Sequence, residues 1–220
     1  MPRSFLPFLL LACSSRTKPP ETVAMATVQQ RIADTVGTAS SNELRAPAAF
    51  AGIADEDERS AALFVEMARV LTHPRCLNCH PSSDSPTQGD DLSVHAPPVT
   101  RGADGHGTAA VACTTCHGPD HAVFADGSGS VPGHPHWALA PASMAWAERT
   151  VPQICDQLRD PDRNGGFSLD ALVKHNAEDG LVGYGWNPGP GREPAPGSQA
   201  AFGELTRAWV DSGAACPSDE

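Results

Sequence analysis

The chain has 220 residues, enough for one domain of ordinary size with a tail, and its formal net charge of −11 comes without any basic stripe, which excludes nucleic acid as its natural partner. Its 20 Gly and 21 Pro, against an aromatic content of 5%, favour coil and short helices over a large side-chain core. No apolar run is long enough for a transmembrane helix, so any membrane contact is expected through a lipid anchor.

Met1 to Ala12 is a short basic start followed by an apolar stretch, and Leu10-Leu11-Ala12-Cys13 resembles the lipobox of a bacterial lipoprotein signal. The resemblance implies cleavage before Cys13 and a lipidated cysteine there, with residues 1–12 as an export signal. An ordinary export signal or a misplaced start is the alternative; in the first case, too, the chain is exported. Residues 13–54 are rich in Ala, Thr, Ser and Pro and read as a tether to the domain. Within them Val28, Ile32 and Val36 recur at helical spacing and predict an amphipathic helix over Thr22–Val36.

The domain is expected over 55–220, mostly α with extensive coil. Its first strong helix spans Asp55 to Thr72, with Asp55 as N-cap, Glu58 three residues on, and Leu63, Phe64, Met67, Val70 and Leu71 as one apolar stripe that Pro74 ends. The chain then runs straight into Cys76-Leu77-Asn78-Cys79-His80. Residues 81–108, rich in Pro, Gly, Ser and Asp, show no period and read as a wrapped loop carrying His95 and His106. Glycines flank His106 and allow the backbone close to a flat group, while Pro97 and Pro98 stiffen the chain beside His95. Cys113-Thr114-Thr115-Cys116-His117 follows. Further on, the sequence predicts a short helix over Ala142–Arg149, a second from Thr150 with Gln153 as capping-box partner, a third over Leu169–Asp179 capped by Ser168, a Gly/Pro-rich loop at Gly183–Gly197, and a last helix over Gln199–Ser212 capped by Ser198. No alternating β pattern competes.

The two Cys/His stretches share one spacing, C-x-x-C-H, the attachment signature of c-type haem. Two thiols separated by two residues reach the two vinyl groups on one edge of a porphyrin, and the next histidine lies under the iron as proximal ligand. Paired C-x-x-C units also build zinc ribbons, and a single C-x-x-C serves as a redox pair. The histidines discriminate. With 9 His in the chain, a chance His at one given position is about a 4% event, and a zinc ribbon needs none at either. Two haems c are therefore the expected cofactors, held by Cys76, Cys79, His80, Cys113, Cys116 and His117.

Each iron of an electron carrier needs a sixth ligand from the protein. The candidates are His73, His95, His106, His121, His134, His136 and His175, with Met67 and Met144. His95 and His106 rank first because they lie in flexible chain between the motifs; Met144 and His175 come next, and Met67 reads as core packing. Of the 7 Cys, Cys155 and Cys216 remain after the motifs and Cys13 are assigned, and in an oxidising compartment they are expected to pair by elimination.

On its two motifs the chain resembles the multihaem cytochromes c, which implies a periplasmic, mostly helical electron carrier. A fainter resemblance extends over Ile154-Cys155-Asp156-Gln157-Leu158, Asp160-Pro161-Asp162-Arg163-Asn164-Gly165-Gly166 and Gly183-Tyr184-Gly185-Trp186, which look like small exported bacterial proteins labelled isoquinoline 1-oxidoreductase subunits. That label implies service to a molybdenum hydroxylase, although the cysteine groups for iron–sulfur clusters and a pterin-binding region are lacking here. The expected function is electron transfer between a dehydrogenase and a respiratory acceptor, with both as redox partners. A haem enzyme with one open iron and a zinc-binding structural protein are the rivals.

Overall fold

The computed structural model describes residues 42–218. The expected signal at 1–12, the lipobox Cys13 and the helix over Thr22–Val36 lie outside the described residues. Within them 39% of the chain is helical and 6% is strand, so the fold is mostly α with long coil segments.

Helix α1 (Glu56–Leu71) starts where the Asp55 side chain accepts from the Glu58 N–H at 2.8 Å, and Glu56, Asp57 and Glu58 place negative charge on its first turn. Its stripe of Leu63, Phe64, Met67, Val70 and Leu71 is buried. Thr72 ends the helix and a short turn, α2 (Pro74–Leu77), follows at once, capped by the His73 ring, whose Nδ1 accepts from the Arg75 N–H at 3.2 Å. Residues 81–137 are coil pinned by two small antiparallel ladders. In one, β1 (Thr87–Gln88) pairs with β2 (Ser93–Val94); in the other, β3 (Ala122–Val123) pairs with β4 (Ser130–Val131).

Three longer helices complete the core. At α3 (Val151–Arg159) both halves of the capping box form, the Gln153 N–H donating to Thr150 Oγ1 at 3.3 Å and the Thr150 N–H to Gln153 Oε1 at 3.1 Å. Ser168 caps α4 (Leu169–Glu178). Asp179 caps a further single turn, α5 (Gly180–Gly183), where the sequence suggests only a stop. Ser198 caps α6 (Gln199–Asp211), which packs against both α1 and α4. Its Trp209 is fully buried, 5.1 Å from the Phe64 ring, with its indole N–H donating to the Ala215 carbonyl at 2.9 Å. Cys155 and Cys216 form the expected disulfide, tying α3 to the chain after α6.

The approach of α6 to α4 depends on Gly203, because a Cβ there would lie 2.5 Å from Ala177 Cβ and 2.9 Å from its Cα. Neither atom can move without its helix. Gly203→Val is expected to cost about 1–3 kcal/mol by overpacking, read as a lower denaturant midpoint, even though Val has the higher helix propensity.

Two expectations need correction. The tether does not extend to Ala54: Pro47–Phe50 form a 3-10 turn, Phe50 and Ile53 are buried in the core, and Arg45 reaches the fully buried Glu66 of α1. The helix over Ala142–Arg149 is reduced to a 3-10 turn at Ala142–Met144. After it the chain is extended at Ala145, because the N–H groups of Trp146 and Ala147 donate to the His80 carbonyl, at 2.9 and 3.1 Å, instead of to a helical turn.

Candidate functional site

Both C-x-x-C-H motifs fold the same way. The His80 N–H donates to the Cys76 carbonyl at 3.0 Å, and the His117 N–H to the Cys113 carbonyl at 2.9 Å, so each motif makes one helical turn with its thiols and imidazole on adjacent positions. The first turn grows out of α2; the second is a 3-10 turn at Cys113–Thr115. Each opens on its own cavity. The first, about 310 Å³, lies against the helical core, with Cys76, Cys79 and His80 on one side and Val70, Leu71, Leu172 and Phe202 among its apolar walls. The second, about 500 Å³, is set in the coil region, with Cys113, Cys116 and His117 on its wall. Both volumes suit a bound cofactor. Phe124 and Val111, exposed large apolar side chains, also lie on the second wall, where a porphyrin face would cover them.

The motif histidines are held alike. His80 Nδ1 is 2.7 Å from the Met144 carbonyl, and His117 Nδ1 is 2.7 Å from the Pro132 carbonyl. A carbonyl only accepts, so in each ring Nδ1 carries the proton and Nε2 keeps its lone pair, the arrangement that orients a metal-ligating imidazole. An indole stacks on each ring: Trp146 on His80 at 3.5 Å between centroids, and Trp137 on His117 at 4.5 Å. Burial holds His80 down at about 4 and lowers His117, so both are neutral at pH 7.

The thiols point the same way. Burial pushes Cys76 up to about 12 and Cys79 up to about 11, the neighbouring Cys79 adding to the effect at Cys76. A thioether sulfur carries no charge and fits so buried a setting. Among the described residues no three His, Cys, Asp or Glu side chains gather closely enough to share one metal ion.

The remaining candidates sort by position. His95 lies on the wall of the second cavity, its ring centroid 6.0 Å from that of His117. Two imidazoles each about 2 Å from one metal place their centroids roughly 6 Å apart. Pro97, expected to steady this ring, does so through its carbonyl, 2.9 Å from His95 Nδ1, again leaving Nε2 free. In the first cavity the second histidine is His175 of α4, which stacks on Phe167 at 4.9 Å and has Nδ1 3.7 Å from Asp179 Oδ2. Met144 also lines this cavity, and its backbone carbonyl is the group that holds the His80 ring.

His106, ranked beside His95 from the sequence, is exposed, lines neither cavity, and turns Nδ1 toward the Trp137 carbonyl at 3.3 Å. The close approach that its flanking glycines permit is to protein: a Cβ at Gly105 would meet the Leu139 carbonyl oxygen at 2.5 Å. His121 uses both ring nitrogens on backbone, accepting from the Gly133 N–H and donating to the Asn187 carbonyl. His134 accepts from the His136 N–H, and His73 caps α2. Met67 is fully buried in α1 and lines neither cavity. Sequence reasoning passed over Arg75 and Leu139 and gave Tyr184 no site role, and these three with Cys79 form the wall common to both cavities. The signal for Arg75 was its place directly between Pro74 and Cys76.

Among the described residues no helix is long and apolar enough to cross a membrane. Comparison of the chain with protein-family models, curated proteins and solved structures finds no match.

Proposed function

We propose that this protein is a dihaem cytochrome c that carries single electrons, with one haem held by Cys76, Cys79 and His80 and the other by Cys113, Cys116 and His117. The observation that carries the reading is the pairing inside each cavity: a C-x-x-C-H histidine with its Nδ1 turned to a carbonyl, and a second histidine lining the same cavity. His175 is then the distal ligand at the first site and His95 at the second. When bound, haem supplies the one-electron Fe(III)/Fe(II) couple. The chain's part is to fix four imidazoles, cover the porphyrin faces with apolar side chains, and keep water from the sixth position. A ligand set unchanged by reduction suits a carrier, and the shared wall of Arg75, Cys79, Leu139 and Tyr184 favours exchange between the two groups.

The lipobox resemblance at Leu10 to Cys13 supports export to the periplasm and anchoring through Cys13, and the resemblance to multihaem cytochromes c supports shuttling between a dehydrogenase and a respiratory acceptor, for which the acidic balance suits a basic docking face. The faint resemblance to isoquinoline 1-oxidoreductase subunits makes a molybdenum hydroxylase the first donor to try.

A pyridine haemochrome assay on the purified protein is expected to give two haems per chain, and its oxidised EPR spectrum two low-spin signals. His95→Ala and His175→Ala are each expected to convert one signal to high spin and open that iron to cyanide. Cyanide binding to the unaltered protein, with a high-spin signal, would overturn the carrier reading in favour of a haem enzyme. Zinc in place of haem would overturn both.

A further inference from the structure

Arg75 is 2% exposed, yet its guanidinium is only partly satisfied. Nη2 donates to the Gly89 carbonyl at 2.8 Å and pairs with Asp90, both in the turn between β1 and β2. Nε and Nη1 are buried and make no hydrogen bond of normal geometry, although the Tyr184 side chain lies close enough to interact with the guanidinium. These two nitrogens carry three of the five donors of the side chain. Buried donors, charged ones above all, are rarely left unpaired, because they have lost water without gaining a partner. Arg75 also stands on the walls of both cavities, beside Tyr184 and Cys79. The complementary group is therefore an anion brought in by whatever fills those cavities.

Resting on the dihaem reading above, we propose that Arg75 is a propionate anchor: its unpaired N–H groups bind a propionate carboxylate of one of the two haems at the wall between them. Haem brings its own carboxylates, a guanidinium is the side chain best matched to them, and no other cavity-lining cation has buried donors without a partner among the described residues. Arg192, the other arginine of the second cavity, already donates to Ser130 and to the Pro188 carbonyl. Reduction adds negative charge at an iron, so a buried cation at the propionate favours the reduced form. Arg75 is thus a positioning residue that also tunes one potential.

The test uses the dihaem protein and its two reduction potentials. Arg75→Gln is expected to lower one of them by about tenfold in the reduction equilibrium, which is 59 mV for one electron, with two haems retained. Arg75→Lys, which keeps the charge and loses the fork, should fall between, and it serves as the reading if the Gln variant loads haem poorly. The same Arg75→Gln change made in the Cys76→Ser/Cys79→Ser background tells which haem supplies the carboxylate: a persisting shift assigns the second, an abolished one the first. Asp90→Asn loosens the same contact with the turn but removes negative charge, so it should raise the potential or leave it. A fall matching that of Arg75→Gln would show that a disturbed turn is the cause and would overturn the proposal. So would unchanged potentials in the Arg75 variants with both haems present. Fewer than two haems in the unaltered protein would sink the dihaem reading itself.

Discussion

Cys76→Ser combined with Cys79→Ser is expected to halve the haem content, from two per chain to one, and Cys113→Ser with Cys116→Ser to do the same at the other site. Each motif is a local turn closed by its own histidine N–H to its own first cysteine carbonyl, at 3.0 and 2.9 Å, so losing one leaves the other formed. The two losses should differ in their effect on the fold. The first cavity is walled by Val70 and Leu71 of α1, Leu172 of α4 and Phe202 of α6, side chains that also belong to the helical core, so a haem there would pack directly against that core and losing it would leave a void inside it. The second cavity is walled by coil between Pro86 and Trp137 and by Pro190 to Arg192. Loss of the first haem should therefore lower the thermal midpoint of helix unfolding, while loss of the second should mainly speed hydrogen exchange over 86–137. Haemochrome content, circular dichroism melting and exchange mass spectrometry read the three effects. Two haems retained in both double variants would remove the attachment assignment.

Much of the helical frame is legible in the sequence because its signals are local. Asp55, Thr150, Ser168 and Ser198 each cap the helix they precede, since an N-cap acts within three residues of itself. The motifs are legible for the same reason. Apart from the single turn at Gly180–Gly183, whose cap Asp179 is local, the failures are long-range. Residues 42–54 read as a tether because Ala, Pro and Ser dominate, and nothing nearby shows that Phe50 will be covered or that Arg45 has a partner 21 residues away. The 142–149 segment has helical composition but gives its N–H groups to His80, more than sixty residues back.

The histidines proposed as distal ligands show the same division. His95 and His106 both stand in loops beside the motifs, and only the tertiary path decides between them: the Pro97 carbonyl holds His95 at the cavity, while His106 turns to the Trp137 carbonyl and does not itself line the cavity. His175 ranks lower because position between the two motifs decides the order, and it lies beyond them both. Its signal was present, since it follows Leu172 by three residues and so shares the face of α4 that turns inward. A histidine on an apolar helical face is ordinarily a core residue, and distinguishing it required knowing that this face lines the cavity of His80.

Glu66→Ala is expected to destabilise the fold by about 3–5 kcal/mol, the usual result of removing one partner from a buried charge network. Glu66 is fully buried in the middle of α1 and accepts from Arg45 Nε at 2.7 Å, the Arg45 N–H at 3.0 Å and Arg69 Nη1 at 2.6 Å. Arg69 also donates to the Glu43 carbonyl, so the carboxylate and its two arginines together clamp residues 43–45 onto the helix. Removing it takes the shared carboxylate from two guanidinium groups that are largely out of water, with 13% and 21% of their side chains exposed. It also frees the segment that carries Phe50 and Ile53, so their burial weakens at the same time. Glu66→Gln keeps the shape and part of the hydrogen bonding and should fall between Ala and the unaltered protein. Denaturant unfolding of the haem-loaded protein measures the difference, with the midpoint displaced and haem content unchanged, because Glu66 lines neither cavity. A loss below about 1 kcal/mol in Glu66→Ala would mean that the 42–54 segment adds little to the core, and that the tether read from composition is the better description of its energetics.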